Sequence, residues 1–395
     1  MKIIIVHNFY QQAGGEDVVV AAETSLLEKN GHTVNRYLRS NDEVVAMTGA
    51  KRVLLVKDMI HSARSKLDLG RLLRDTKPDV VHVHNTFMRI SPSIFEACRD
   101  AGVPTVHTLH NYRLLCPGWS LSRDGAICEE CLDHGLSRSV LHGCYRNSRL
   151  MTAAVALMLQ THRLSRTWDK RVDSYVALTN FARDKFIQGG LPAAAIHVKP
   201  NFLDFDPGER TCSGRYILYV GRLSEEKGVE LLLEAWEKAR TQMELMIIGD
   251  GPLRSQLEAR ACSTNLRNVT FAGWQNRTAV FDALRNAAAL VLPSLCYEGF
   301  PMTIVESFAC GTPVICSNFG GMAEIVESGR TGLHFRPADS NDLADKLNWA
   351  CGHQHELAEI GHAARREFEQ HYTAETNYKL LLQIYEKAIA HAAMN

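Results

Sequence analysis

Two glutamates, Glu298 and Glu306, stand in the stretch LCYEGFPMTIVESFACGTPV (295–314), on either side of a Gly-Phe-Pro turn that opens a helix. Carboxylates at such a place either compensate the helix dipole or engage a polar ligand in front of it. Pro301 suits the first helical position, where its missing amide costs no hydrogen bond, and Gly311 suits the stop. The amides of Gly299, Phe300 and the first turn then face outward and favour an anion such as phosphate. Bare carboxylates beside a phosphate repel it unless each has hydroxyl donors to engage, and a sugar provides such donors. Glu306 lies beyond the first turn, where the dipole effect fades. Helical side chains lean toward the N-terminus, so its carboxylate can still reach the mouth. Glu298 sits in the loop and is compatible with both roles.

Two further loops point at phosphate. In VGRLSEEKG, Arg222 and Lys227 follow a β-rich run and precede a helix, a fork donor and a point charge suited to a diphosphate. The bland alternative is a pair of solvated loop charges. In HNFYQQAGGEDVV, Gly14 and Gly15 stand just ahead of a helix, where backbone amides are bare and close approach is allowed. They lack the G-x-G-x-x-G spacing of a dinucleotide site and can equally be ordinary loop glycines.

The elements that position these loops follow a strand–helix rhythm. KIIIV, a helix from about Glu16 to Asn30, TVNRYL, DVVHVH, a helix near 91–101 and PTVHTL lead to an irregular insert. A long helix near 149–168, SYVAL, a helix from Asn180 and IHVKPN complete the first half. The second half repeats the rhythm: RYILYVG, 228–240, LMIIG, 253–262, VTFAG, 276–286, ALVLP, 301–310, PVICS and 321–328. Such alternation predicts α/β architecture with parallel sheets, here two facing Rossmann-like doubly wound domains with ligand loops beyond the strand ends. PNFLDFDPGERTCSG (200–214) reads as the linker. We place an N-terminal domain at 1–203, a C-terminal domain at 204–372 and a final helix at 373–395 that packs back toward the first.

A length of 395 residues suits two domains, and 46% hydrophobic with 22% charged residues suits a soluble globular chain. Net charge is zero, but residues 1–204 carry +6 and the remainder −6. Zero net charge argues against a nucleic-acid partner. The apolar run before His7 is too short for a signal peptide, and LMTAAVALML (150–159) is about half of the roughly 20 residues a spanning helix needs. With eleven cysteines and no export signal, a reducing cytoplasmic setting is expected.

Two segments stand outside this scheme. The insert at 111–148 carries Cys116, Cys128, Cys131 and Cys144, one C-x2-C pair with a further cysteine on each side. Structural zinc would organise such an apolar-poor loop; free thiols, a disulfide or an iron–sulfur cluster are the alternatives. Residues 136–171 hold Arg138, Arg146, Arg149, Arg163, Arg166, Lys170 and Arg171 against one acid, Asp169. This basic amphipathic segment reads either as a contact with an anionic membrane surface, placing the protein on the cytoplasmic face, or as a helix with solvated arginines.

The motifs AGGEDVV, TLHNY, PN, GRLSEEKG, GDGPL, FAG and the E-x7-E element EGFPMTIVE occur in order from residue 3 to about 335. In this the chain resembles the retaining nucleotide-sugar glycosyltransferases of family 4, of GT-B fold. The resemblance implies that Arg222 and Lys227 hold the donor diphosphate, Glu306 the ribose hydroxyls and Glu298 the donor sugar. Gly299 and Phe300 amides would assist, with Gly251 and Gly273 near the nucleobase. His110 matches the family histidine at the sugar, although Asn111 follows it where Asp is usual. Implied too are transfer of a hexose-type sugar to a glycan or lipid-linked acceptor, no catalytic cofactor, and a place in polysaccharide or glycolipid biosynthesis. A sugar-nucleotide epimerase of the same fold and a non-catalytic sugar-nucleotide binder are the rival readings; the missing glycine fingerprint disfavours a nicotinamide dehydrogenase.

Overall fold

The computed structural model describes the chain apart from residues 12–13, 46–49, 211–213, 267 and 395. Two compact units make it up. Unit 1 comprises Met1–Leu121, Glu129–Asp204 and Ala374–Asn395, and unit 2 comprises Ser122–Cys128 and Phe205–Thr373. Part of the stretch read as a linker, 211–213, lies outside the described residues.

Unit 1 is built on six parallel strands: β1 (Lys2–Phe9), β2 (Thr33–Ser40), β3 (Val80–Val83), β4 (Thr105–Leu109), β5 (Ser174–Ala177) and β6 (Ile196–Val198). Their order is β2-β1-β3-β4-β5-β6, so the connections reverse direction between β1 and β3. Ile3 to Val6 are fully buried, which is why β1 reads as an unbroken apolar run, and Val80, Val81 and Val83 are fully buried around His82 in β3. The helix Gly15–Lys29 buries Val19, Val20, Leu26 and Leu27. The final helix, Ala374–Met394, belongs to this unit: Leu381, Ile384, Tyr385 and Ala388 are buried, and Tyr385 meets His82 Nδ1 at 2.8 Å.

Unit 2 holds β7 (Tyr216–Val220), β8 (Glu244–Ile248), β9 (Val269–Gly273), β10 (Ala287–Leu292), β11 (Val314–Ser317) and β12 (Gly332–Phe335), ordered β9-β8-β7-β10-β11-β12. Its reversal falls between β7 and β10, which makes the loops after those strands the ligand crevice of the sheet. Leu232, Trp236, Leu257, Val291, Ile315 and Leu347 anchor its core, each burial contributing about 2 kcal/mol.

The insert contains short helices, Glu130–Asp133 and Ser137–His142, and a two-stranded hairpin, Ser122–Arg123 with Ala126–Ile127. The hairpin groups with unit 2. A Cβ on its Gly125 would lie 3.7 Å from Glu225 Oε1 and 3.9 Å from Leu295 Cδ1, so the hairpin tip touches the crevice loops. The helix Arg149–Leu164 buries Val155, Met158 and Leu159. It also exposes Leu150, Leu157 and Leu164, seven residues apart on one stripe, at 82%, 55% and 76%. Among the described residues, no helix is long and apolar enough to cross a membrane.

Candidate active site

At the reversal in unit 2, three loops are stitched together through their backbones. The Gly221 amide bonds Ile248 O, Leu223 bonds Asp250 O, Leu253 bonds Leu223 O, and Leu295 bonds Glu226 O. Two glycines make this packing feasible. A Cβ on Gly228, at φ 68°, would fall 2.0 Å from Pro293 O, and one on Gly251 would fall 2.3 Å from Leu223 O. The short turn Glu225–Lys227 then leads through Gly228 into the helix Val229–Lys238.

This frame brings Lys227 and Glu298 together. Lys227 Nζ donates to both carboxylate oxygens of Glu298, at 2.7 and 2.9 Å, and Ser294 Oγ donates to Oε1 at 2.7 Å. Lys227 remains 27% exposed. Burial works against its charge, but the facing Glu298 outweighs this and holds the ammonium above its ordinary pKa. Arg222 is exposed on the same loop.

The helix beyond starts at Met302, with Pro301 as its N-cap and no side-chain cap. Neither glutamate therefore caps it. Pro301 stands one residue earlier than the sequence suggested, because the helical amide pattern begins only after its extended backbone. Phe300 is buried and Gly299 half-buried at the mouth. Glu306, on the second turn, is also half-buried. Burial pushes its carboxyl above the ordinary range, against the pull of Arg277. Gly251 follows β8, where its amide donates to Asp250 Oδ1 at 2.7 Å, and Gly273 ends β9 against the Arg254 guanidinium.

In unit 1 the loops after β1, β3 and β4 enclose a cavity of about 50 Å³ lined by Tyr10, His84, Asn85, His110, Asn111 and Arg113 among others. His110 Nε2 and His84 Nδ1 share a hydrogen bond of 3.0 Å. His84 Nε2 lies 3.6 Å from Glu23 Oε2, and neither atom makes a hydrogen bond, while Lys199 Nζ donates to Glu23 Oε1 at 2.6 Å. Burial drives both histidines well below their ordinary pKa, so they are neutral at neutral pH. With the His84 proton on Nε2, toward Glu23, His84 Nδ1 is an acceptor. His110 then donates from Nε2 and keeps its lone pair on Nδ1.

Glu23, His82 and His84 also place one ligand atom each within 4.8 Å of the others. Both His82 nitrogens are taken, by Tyr385 and Thr108 hydroxyls, and the Lys199 ammonium already neutralises Glu23. The set is built as a hydrogen-bond network.

Gly14 and Gly15 stand at the start of their helix as expected, but the corner is acidic. The Gly14 amide donates to Asp17 Oδ2 at 3.0 Å, and Asp17 Oδ1 meets His7 Nε2 at 2.7 Å. Burial, with Asp17 beside it, raises Glu16 to about 8.

Residues 13–207 match the model for Glycosyltransferase Family 4 and residues 207–367 the model for Glycosyl transferases group 1. The chain belongs to glycosyltransferase family 4. It is 33% identical over 162 residues to D-rhamnosyltransferase WbpZ of Pseudomonas aeruginosa, covering 40% of this chain and 42% of that one. It is 27% identical over 322 residues to glycogen synthase of Mycobacterium tuberculosis, covering 79% and 69%. Several curated relatives, WbpZ among them, are matched over less than half their length. The crystal structure of Anabaena HepE in complex with UDP superposes with a TM-score of 0.71 at 18% identity, over 97% of this chain and 99% of HepE. That likeness shows the GT-B fold.

Sequence reasoning missed Glu23, His84 and Lys199 in this family 4 chain. A signal was present: Glu23 interrupts the apolar face of VVVAAETSLL, and two buried histidines stand at the end of an apolar run, His82 within β3 and His84 just after it. Buried polar residues at apolar positions point to partners that periodicity alone does not name.

Proposed function

We propose that the chain is a retaining glycosyltransferase. It moves a hexose-type sugar from a nucleoside-diphosphate sugar to a hydroxyl of a glycan or lipid-linked acceptor in polysaccharide or glycolipid assembly. The observation that carries this reading is the Lys227–Glu298–Ser294 arrangement at the sheet reversal of unit 2, beside a helix mouth without a side-chain cap.

Transfer passes through an oxocarbenium-like state while negative charge grows on the departing diphosphate. A lysine already fixed by a bidentate carboxylate need not reorganise to meet that charge, which favours the transition state over the ground state. Arg222 adds a second cation from the same loop. The amides of Gly299 and Phe300 supply hydrogen bonds to phosphate oxygens. Glu306, with its carboxyl raised by burial, gains from accepting ribose hydroxyls, and Glu298 faces the hydroxyls of the donor sugar while holding Lys227. His110, hydrogen-bonded to His84, is the histidine that the family resemblance assigns to sugar binding. Retention follows if the acceptor attacks on the leaving group's face and a phosphate oxygen takes its proton. The name of WbpZ supports sugar transfer, that of glycogen synthase supports transfer into a polymer, and the HepE complex supports a uridine nucleotide donor.

A panel of nucleotide sugars in a thermal-shift assay tests the donor site, since a ligand raises stability by RT ln(1+[L]/Kd). A shift with at least one nucleotide sugar is expected. Release of nucleoside diphosphate should require donor and acceptor together. Stable binding without release for any donor–acceptor pair would instead support a binding module.

The Leu150, Leu157 and Leu164 stripe, among arginines of the same segment, favours contact with an anionic membrane surface that carries a lipid-linked acceptor. Flotation with anionic liposomes at low salt should carry the wild-type chain, and a Leu150→Glu/Leu157→Glu variant should stay behind. Equal flotation of both removes the membrane from the account.

A further inference from the structure

The helix Gly15–Lys29 carries a carboxylate on its buried face. Glu23 is fully buried, and so is Lys199, which follows β6 directly. Lys199 Nζ donates to Glu23 Oε1 at 2.6 Å, and the two form an ion pair inside unit 1. Such a pair adds little stability over apolar residues of the same size, so stability alone does not account for it.

The other oxygen, Glu23 Oε2, is buried without a hydrogen bond. Two ring nitrogens approach it, His84 Nε2 at 3.6 Å and His82 Nδ1 at 3.8 Å. His82 is committed elsewhere, with Nδ1 on the Tyr385 hydroxyl at 2.8 Å and Nε2 on the Thr108 hydroxyl at 2.7 Å. His84 Nε2 has no other partner. A separation of 3.6 Å is longer than a hydrogen bond, yet the electrostatic preference is strong in a dry interior. A ring lone pair turned toward a carboxylate is repelled there, and an N–H is attracted. The proton of neutral His84 therefore sits on Nε2.

That choice passes to the next ring. His84 and His110 stack with centroids 5.3 Å apart and planes 25° apart, and His84 Nδ1 meets His110 Nε2 at 3.0 Å. With its Nδ1 bare, His84 accepts and His110 donates. His7, edge-on to His84 at 6.3 Å, is held by Asp17 through Nε2 and does not compete for this contact. His110 lines the small cavity after β1, β3 and β4, and its remaining nitrogen, Nδ1, carries a lone pair. A neutral lone pair accepts from a hydroxyl and repels a phosphate or carboxylate oxygen.

We propose that Glu23 and His84 are positioning residues that lock His110 as an acceptor, so that this ring takes a sugar hydroxyl and rejects an anionic oxygen. The identity of the ligand rests on the sugar-transfer reading. The lock itself rests on the buried geometry of unit 1.

The full-length chain with isotopically labelled histidine reads the tautomers through long-range proton–nitrogen correlations, with His84→Asn and His110→Asn spectra assigning the signals. Both rings should carry their proton on Nε2 at neutral pH. His84→Leu should leave the donor thermal shift unchanged and lower kcat roughly tenfold to a hundredfold, because His110 loses its fixed orientation. His84→Asn, which offers a carbonyl oxygen in place of Nδ1, should recover most of that loss. A proton on His110 Nδ1 in the wild-type chain would overturn the proposal, and this spectrum decides even if His84→Leu does not fold. Wild-type kcat in His84→Leu, or equal losses in the Leu and Asn variants, would also overturn it. The tautomers are read without turnover, so absence of transfer with every donor–acceptor pair would strike the sugar-transfer reading and leave the test of the lock intact.

Discussion

Lys227 and Glu298 answer a question about one side chain: does Glu298 cap a helix or hold something? It holds Lys227, through both oxygens, and Ser294 steadies it. Removing the carboxylate charge while keeping its shape, in Glu298→Gln, therefore releases the lysine as well as weakening any sugar contact. A second residue-scale consequence concerns acid. His82 and His107 are buried and shifted down, to about 4 and about 3, chiefly by desolvation. In the unfolded chain they take up protons as pH falls below about 6.5, and in the folded chain they do not, so stability drops through that window. Glu16, raised to about 8, works in the opposite direction by holding its proton when folded, which makes stability fall as pH rises toward 8. The contribution of one histidine is best isolated by substitution. His107, packed among Phe95, Trp168 and Tyr175, has no hydrogen bond on Nδ1. In His107→Leu the melting temperature should decline less steeply than in wild type between about pH 6 and pH 4.5. Parallel curves would show that His107 charges freely in the folded state.

At the scale of elements, the donor crevice depends on loops that touch backbone to backbone. Gly228→Ala places a methyl 2.0 Å from Pro293 O at a positive φ, so the loops after β7 and β10 must part. A loss of stability of about 2 kcal/mol or more is expected, with a parallel loss of donor binding because Lys227 is the preceding residue. Chemical denaturation and donor thermal shift check this, and unchanged values in both would mean that the loops are not locked together. The strands and helices around this crevice were legible in the sequence because unbroken apolar runs and amphipathic stretches alternate there. Helix Arg254–Ser263 falls within one residue of its expected bounds. The helices Ala50–Ile60, Ala63–Thr76, Ser340–Gly352 and Gln354–His371 were not marked. In Ala63–Thr76 a polar composition hides the buried side, which amounts to Ser65, Leu69 and Leu73. Sheet order was also beyond reach. The two units differ in where their first strands lie, β2-β1-β3 against β9-β8-β7, and crossover choice leaves no mark in a strand's own residues.

At the scale of the whole molecule, each unit is assembled from separated stretches of chain. The last helix completes unit 1 through Tyr385 on His82, Tyr378 on His32 and Asn377 on Pro200 O, long after unit 2 has been traversed. Pairs such as Glu23 with Lys199, 176 residues apart and both fully buried, depend on that closure and were invisible to local pattern. Removing either partner leaves a buried charge uncompensated, at a cost of about 3–5 kcal/mol. The E-x7-E spacing and the G-R-x4-K-G loop were by contrast readable directly, because the residues that meet in unit 2 sit at short offsets after β7 and β10, strands that lie side by side in the sheet. The claim on which the account turns is that this crevice stabilises a departing nucleoside diphosphate. It is tested most directly by the turnover of Lys227→Ala, measured as acceptor-dependent release of nucleoside diphosphate at saturating donor. A fall in kcat of about two to three decades, the scale of losing one preorganised donor to developing negative charge, is expected, with the fold retained. Near wild-type kcat in the folded variant would contradict it.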